Sequence, residues 1–269
     1  MRIIDTHCHA SPYYFEPVEL LLFQMDRVGV EKAVLTQHSG NVNNWYMIEC
    51  TRRFPGRFTV VGRIDTNRDD TDVVLDQWVS EGMVGVRFRP TTRSPGPDPL
   101  TIWRKIVELG LVVSCIGSEE EFASADFRNL VEQLPDLNII VEHFGRADRD
   151  EEPPFTLFQE VLALAKYPNV YIKLGGLGEI CHRPIAYDKP MQFGKIPPFV
   201  SMIYDAFGPR RMMWGSDYPP VSYREGYANA LRFIMERMAF CSQEDKEWIF
   251  GKTALSLFHF AEPTLPPIK

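Results

Sequence analysis

Apolar residues along this chain follow two alternating rhythms. Short, nearly continuous runs rich in Val and Ile alternate with longer stretches in which apolar residues return every three or four positions. The short runs are Arg2-Ile3-Ile4-Asp5, KAVLTQH, RFTVVGRID, VGVRFRP, LVVSCIGS, LNIIVEHFG, NVYIKLGGL and RRMMWGSDYP, and each predicts a strand. The longer stretches predict helices. They are PVELLLFQMDRVG, stopped at Gly29; NNWYMIECTRRFP; DDTDVVLDQWVSEG, with an aspartate cap and an end at Gly82; PLTIWRKIVELG; EEEFASADFRNLVEQLP; PFTLFQEVLALAKYP; and IPPFVSMIYDAFG. Residues 223–261 read as closing helices.

Strands that are apolar on both faces are covered on both faces, and helical crossovers join parallel strands. Eight such units in one chain predict an α/β architecture, a (β/α)8 TIM barrel forming a single domain over residues 1–269 with C-terminal closing helices. An open doubly wound sheet is the alternative, but no strand is followed by a glycine-rich phosphate loop. The longest irregular stretch, residues 175–195, has the composition of a lid.

The chain has 269 residues, 45 % hydrophobic and 24 % charged, with a net charge of −7. That balance argues against non-specific binding to nucleic acid or an anionic membrane. No apolar run approaches a membrane span, and the N-terminus does not read as a signal peptide. Five widely spaced cysteines without a CxxC pair suggest neither a disulfide framework nor a zinc ribbon. A cytoplasmic location and a small-molecule partner are therefore expected, with homo-oligomerisation left open.

In a barrel, chemistry collects at the carboxyl ends of the strands. Those ends supply His7 and His9; Gln37 and His38; Arg63 and Asp65; Arg87 and Arg89; Glu142, His143 and Arg146; Lys173; and Ser216 and Asp217. Four of the six histidines fall there, a concentration that points to a metal or proton-handling site. Strict strand alternation places Ile3, Asp5, His7 and His9 on one face, with Cys8 on the other.

His7-x-His9 on the first strand, EHFGR around His143 and MMWGSDYP around Asp217 resemble the amidohydrolase superfamily, in its amidohydrolase-related family 2. The resemblance runs from residue 2 to about residue 260. It implies a (β/α)8 barrel that hydrolyses or decarboxylates small carboxylated substrates, commonly with one divalent ion, most often zinc. On this resemblance His7, His9, His143 and Asp217 are both the catalytic set and the metal ligands, and Asp217 is the base for an attacking water. The fifth strand, VVSCIGS, lacks the histidine that metal-dependent members place there. In that respect the chain is more similar to the pyrone-dicarboxylate lactonase subgroup, in which metal-free catalysis is an alternative.

Arg87, Arg89 and Arg146 present forked guanidinium groups suited to a carboxylate, and His38 and Lys173 are further substrate-binding candidates. Each has a structural alternative: a helix cap for Asp217, a core role for His143, surface ion pairs for the arginines, or an internal Arg87–Glu142 pair. His182 and Arg183 could close over a ligand, and His259 reads as structural in a terminal helix. The leading expectation is a lactonase-like hydrolase of a carboxylated cyclic ester. The others are a metal-dependent non-oxidative decarboxylase and a non-catalytic barrel that binds a small anion.

Overall fold

Each of the eight apolar runs forms a strand in the computed structural model, which describes residues 1–184 and 190–261. They are β1 (Ile4–Cys8), β2 (Lys32–Thr36), β3 (Phe58–Gly62), β4 (Met83–Phe88), β5 (Val112–Cys115), β6 (Ile139–Val141), β7 (Val170–Leu174) and β8 (Met212–Trp214). The strands pair in parallel and in chain order. At the seam, Cys8 bridges Tyr218, the His9 N–H donates to the Tyr218 carbonyl (2.7 Å), and the Asp217 N–H donates to the His7 carbonyl (2.7 Å). Gly215 makes this closure possible. A Cβ there would lie 2.6 Å from the His7 Cβ and 2.8 Å from its backbone nitrogen.

The crossovers are α1 (Val18–Val28), α2 (Trp45–Arg53), α3 (Thr71–Ser80), α4 (Thr101–Glu108), α5 (Glu119–Ala123), α6 (Ala125–Gln133), α7 (Thr156–Leu162) and α8 (Phe199–Phe207). The closing helices are α9 (Tyr227–Arg237), α10 (Gln243–Glu247) and α11 (Thr253–Leu257). The larger core lies between barrel and helices. A smaller one fills the barrel floor, where Ile4, Val34, Val61, Val112, Ile140 and Met213 are plugged by Ala254, Phe258 and Phe260. Among the described residues, the interior polar groups lie above this floor.

Four local expectations are corrected. Ile4 belongs to the interior floor, whereas Asp5 reaches Tyr227 on α9, so Asp5 does not share the face of His7 and His9. The pairing with β2 shifts between Asp5 and Cys8, and this bulge re-aims the histidines inward. The long fifth helix breaks in two because Ser124, extended at ψ 149°, ends α5 and caps α6 by accepting from the Phe127 N–H. Asp70 makes no capping bond to α3, because Arg68 holds both its oxygens at 2.7 Å. His259 lies beyond the end of α11 and is exposed. Residues 185–189 of the expected lid lie outside the described residues.

Candidate active site

Above the apolar floor, side chains from five strand ends form one buried polar network. Arg87, from β4, forks onto Glu142, which follows β6, with Nη2 2.7 Å from Oε2 and Nε 3.1 Å from both oxygens. Ser114, from β5, donates to Glu142 at 2.6 Å and accepts from Lys173 of β7 at 3.1 Å. The Lys173 Nζ also lies 3.2 Å from the His7 Nδ1, and the Arg87 Nη2 lies 3.5 Å from its Nε2. Burial alone would raise the Glu142 carboxyl, but Arg87, Lys173 and His143 overcome it and hold the group at about 2. Burial lowers Lys173 to about 8, against the opposing pull of Glu142. His7 falls well below its ordinary value through burial and the surrounding cations. It is a neutral imidazole at neutral pH, with lone-pair character to offer.

A second layer sits at the mouth. His9 Nδ1 is 2.6 Å from the Thr36 carbonyl, which can only accept, so Nδ1 donates there and Nε2 is turned to the site. That nitrogen lies 3.4 Å from Asp217 Oδ1, and His7 Nε2 lies 3.8 Å from the same oxygen. Burial would raise Asp217, but His9, His143 and Arg224 hold its carboxyl well below the usual range, with Arg224 Nη1 2.7 Å from Oδ2. His143 Nδ1 faces Glu179 Oε2 at 3.1 Å. Burial would lower His143, yet Glu179, Asp217 and Glu142 raise it, favouring the cation. Asp217 (φ 57°) and His143 (φ 54°) both sit in the left-handed region, a backbone cost that turns each side chain onto the barrel axis.

The four sequence-predicted centres, His7, His9, His143 and Asp217, therefore converge. The His7 ring centroid lies 4.9 Å from that of His9 and 4.7 Å from that of His143. Lone pairs of His7 and His9 and Asp217 Oδ1 close to within 4.8 Å of one another, a donor set of two imidazoles and a carboxylate that fits one divalent ion. His143 joins other acidic groups, with Glu142 or with Glu179, rather than this triplet.

The remaining candidates divide. Arg87 and Lys173 are interior members of the network, 3 % and 2 % exposed. Arg89 is exposed and paired with Glu121 at 2.6 Å, yet it lines a cleft of about 610 Å³ beside His143 and Arg146. Arg146 is exposed on that cleft and on a neighbouring one of about 370 Å³ that also includes Arg149, Arg183, Tyr223 and Arg224. His38 packs against Tyr14 and Phe15, and Phe15 stacks on His9 at 5.1 Å. His182 pairs with Asp150 at 2.5 Å, and Arg183 lies over the Tyr223 ring. Ser216 and Asp5 brace β8 against β1 through two hydrogen bonds of 2.8 and 2.6 Å.

Sequence reasoning missed Glu179, Arg224 and Arg149. Glu179 had one readable signal, the glycines before it: a Cβ on Gly175 would lie 2.1 Å from Glu179 Oε1, so the GGLGE stretch is cut to fit a buried acid. Arg224 follows a 3-10 turn, Pro220–Tyr223, and nothing in its local pattern marks it.

Residues 4–260 match the family model described as Amidohydrolase. A 4-sulfomuconolactone hydrolase of Hydrogenophaga intermedia is 26 % identical over 212 residues, 77 % of this chain and 66 % of that protein. The chain thus spans just under two thirds of that relative's length. The probable 2-pyrone-4,6-dicarboxylic acid hydrolase of Acinetobacter baumannii, solved with citric acid bound, superposes with a TM-score of 0.73 at 21 % identity, covering 97 % of this chain and 100 % of that one. A Burkholderia multivorans amidohydrolase with bound zinc gives 0.73 at 19 %, covering 96 % and 99 %. With the barrel, its strand-end histidines and the match over residues 4–260 all in agreement, the chain belongs to the amidohydrolase family.

Proposed function

We propose that this chain is a hydrolase that opens a small lactone bearing an acidic group. One observation carries the reading: Asp217 shares its oxygen with two imidazoles while His143, whose acidic neighbours favour the cation, faces an arginine-lined cleft. Asp217 Oδ1 positions a water and takes its proton as the water oxygen attacks the ring carbonyl. Because Asp217 is a weak base, the carbonyl must be strongly polarised for that transfer to proceed. His143 supplies polarisation by donating from Nε2, since Glu179 occupies Nδ1. The ring C–O bond then breaks, and the proton held by Asp217 passes to the leaving oxygen, giving a hydroxy acid. A zinc ion, when held by His7, His9 and Asp217, would polarise the carbonyl and acidify the water. Arg89 and Arg146 orient the acidic group, with Arg149 beside them. His38 bounds the mouth through its aromatic neighbours.

The lactonases named among the relatives support this substrate class. The five free, buried thiols fit a cytoplasmic setting, as one domain over residues 1–269. The test is Asp217→Asn assayed on a panel of carboxylated and neutral lactones. We expect wild type to prefer the carboxylated members and the variant to lose a factor of about 100 to 10,000 in kcat. Substantial turnover by the variant, or faster turnover of neutral lactones by wild type, would refute it.

A further inference from the structure

The guanidinium of Arg224 faces three carboxylates, one on each of its nitrogens. Nη1 lies 2.7 Å from Asp217 Oδ2, Nη2 lies 3.3 Å from Glu179 Oε1, and Nε lies 3.7 Å from Glu225 Oε2. Glu179 passes the contact on, because its other oxygen lies 3.1 Å from His143 Nδ1. A continuous path, Asp217–Arg224–Glu179–His143, therefore joins the two groups that the proposed chemistry uses on opposite sides of the ring carbonyl.

The backbone brings Arg224 to this point. The Val221 N–H donates to the Asp217 carbonyl at 2.8 Å, and the Arg224 N–H donates to the Val221 carbonyl at 3.0 Å. The chain thus curls back onto the strand end that it has just left. Across the gap, Gly178 leaves room for a close approach, since a Cβ there would lie 2.9 Å from the Arg224 Cβ. Glu225 holds that glycine in place by accepting from its N–H at 3.0 Å.

The terminal torsions of Asp and Glu lie in broad, two-fold wells, so neither carboxylate plane is fixed by its own rotamer. A charge-assisted hydrogen bond to a rigid fork fixes it. For Asp217, the bond at Oδ2 leaves Oδ1 turned to His9 and His7, 3.4 and 3.8 Å away. For Glu179, the contact at Oε1 leaves Oε2 to hold the His143 ring. We propose that Arg224 is a positioning residue that sets the water-activating oxygen of Asp217 and the ring of His143 relative to one another. Arg224 also lines the smaller cleft, but its nitrogens already face acids, so it orients the catalytic groups rather than the substrate. The inference deepens the hydrolase reading above and rests on it for the chemistry.

The first measurement is NMR of the whole chain with isotope-labelled histidines and no substrate. The His143 Nδ1–H resonance, identified by its loss in His143→Gln, should shift or broaden away in Arg224→Ala. It should return when methylguanidinium is added, for which the smaller cleft gives a way in, and not when methylammonium is added. The second is steady-state kinetics on a carboxylated lactone. In Arg224→Ala, kcat should fall about 100-fold with KM nearly unchanged, as for a misplaced catalytic group, and methylguanidinium should recover much of the loss. Arg224→Lys keeps a positive charge among the three acids and guards against a misfolded Ala variant. Its single ammonium lacks the fork, so it should show the same NMR change and the same kcat loss. An unmoved His143 resonance in both variants, full kcat in Arg224→Lys, equal effects of the two additives, or a loss confined to KM would overturn the proposal. Were wild type to open no lactone, the hydrolase reading would fall, and the NMR result would still decide the role of Arg224.

Discussion

Replacing Arg87 by Met asks whether the interior arginine supports the site or holds the substrate. Its guanidinium contacts both oxygens of Glu142, and neither residue is more than 3 % exposed. The Glu142 carboxyl is drawn from 4.5 to about 2 against a burial effect that pushes the other way. At about 1.4 kcal/mol per pH unit, its charged partners stabilise the carboxylate by roughly 3 kcal/mol net. Removing one partner of a buried pair costs about 3–5 kcal/mol. Lys173, bonded through Ser114, still offsets part of the stranded charge, which favours the lower end of that range. At about 2–4 °C per kcal/mol for a domain of this size, Arg87→Met should lower Tm by about 6–12 °C. Glu142 is depressed on folding, so its contribution is full above about 4.5 and fades as pH falls towards 2; the Tm gap should narrow in acid. Arg146→Met should do the reverse. It is exposed, so Tm should barely move. Losing one charge-assisted hydrogen bond of about 1.5–3 kcal/mol should raise KM for a carboxylated lactone by roughly 10–150-fold. Calorimetric melting and steady-state kinetics on the two variants decide it. An Arg87→Met protein that melts within about 2 °C of wild type while its KM rises tenfold would make Arg87 a substrate ligand and defeat the reasoning.

Glu179→Gln should start the alkaline loss of kcat at lower pH. The raised His143 is cationic below its folded value and loses that charge as pH rises, and Glu179 is the strongest group sustaining it; an unmoved pH–kcat profile would count against this role. On the proposed zinc site, His9→Ala should weaken binding of added zinc more than about 100-fold in competition with a chromophoric chelator, because one of three converging donor groups is gone. Unchanged affinity would place the ion elsewhere. Ser124→Ala should cost about 1 kcal/mol in urea unfolding through loss of the α6 cap, with kcat intact; a stability loss below experimental scatter would show that the helix break does not depend on that hydroxyl.

The barrel was legible because each strand announces itself locally. VVGRID and YIKLGGL carry their apolar residues, their stop signals and their strand-end charges within a few positions. What the pattern misplaced were features decided by contacts across the barrel. Asp5 follows period-two alternation only until the register with β2 slips, next to the close approach of Gly215 to His7 at the β8 seam. The EEEFASADFRNLVEQ stretch has helical periodicity throughout, but Ser124 competes for the backbone and wins, because its hydroxyl satisfies an orphan N–H of the next helix.

The site shows the same division more sharply. His7, His9, His143 and Asp217 were readable because strand ends oblige residues on different strands to meet at one mouth. Their roles were not readable, because a role depends on what occupies the other nitrogen or oxygen. His9 turns Nε2 to the site because the Thr36 carbonyl takes Nδ1, whereas Glu179 lies against His143 and favours its cation. The arginines make the same point. Arg87 lies in β4 and Arg89 just past its end, two residues on, yet one neutralises Glu142 in the interior while the other stands at the cleft beside Glu121. Arg146, three residues along from His143, faces the cleft with no ion pair to a carboxylate among the described residues. On the proposed reading, the specificity of this barrel lies in the acids that withdraw some cations from the mouth as much as in the cations that remain.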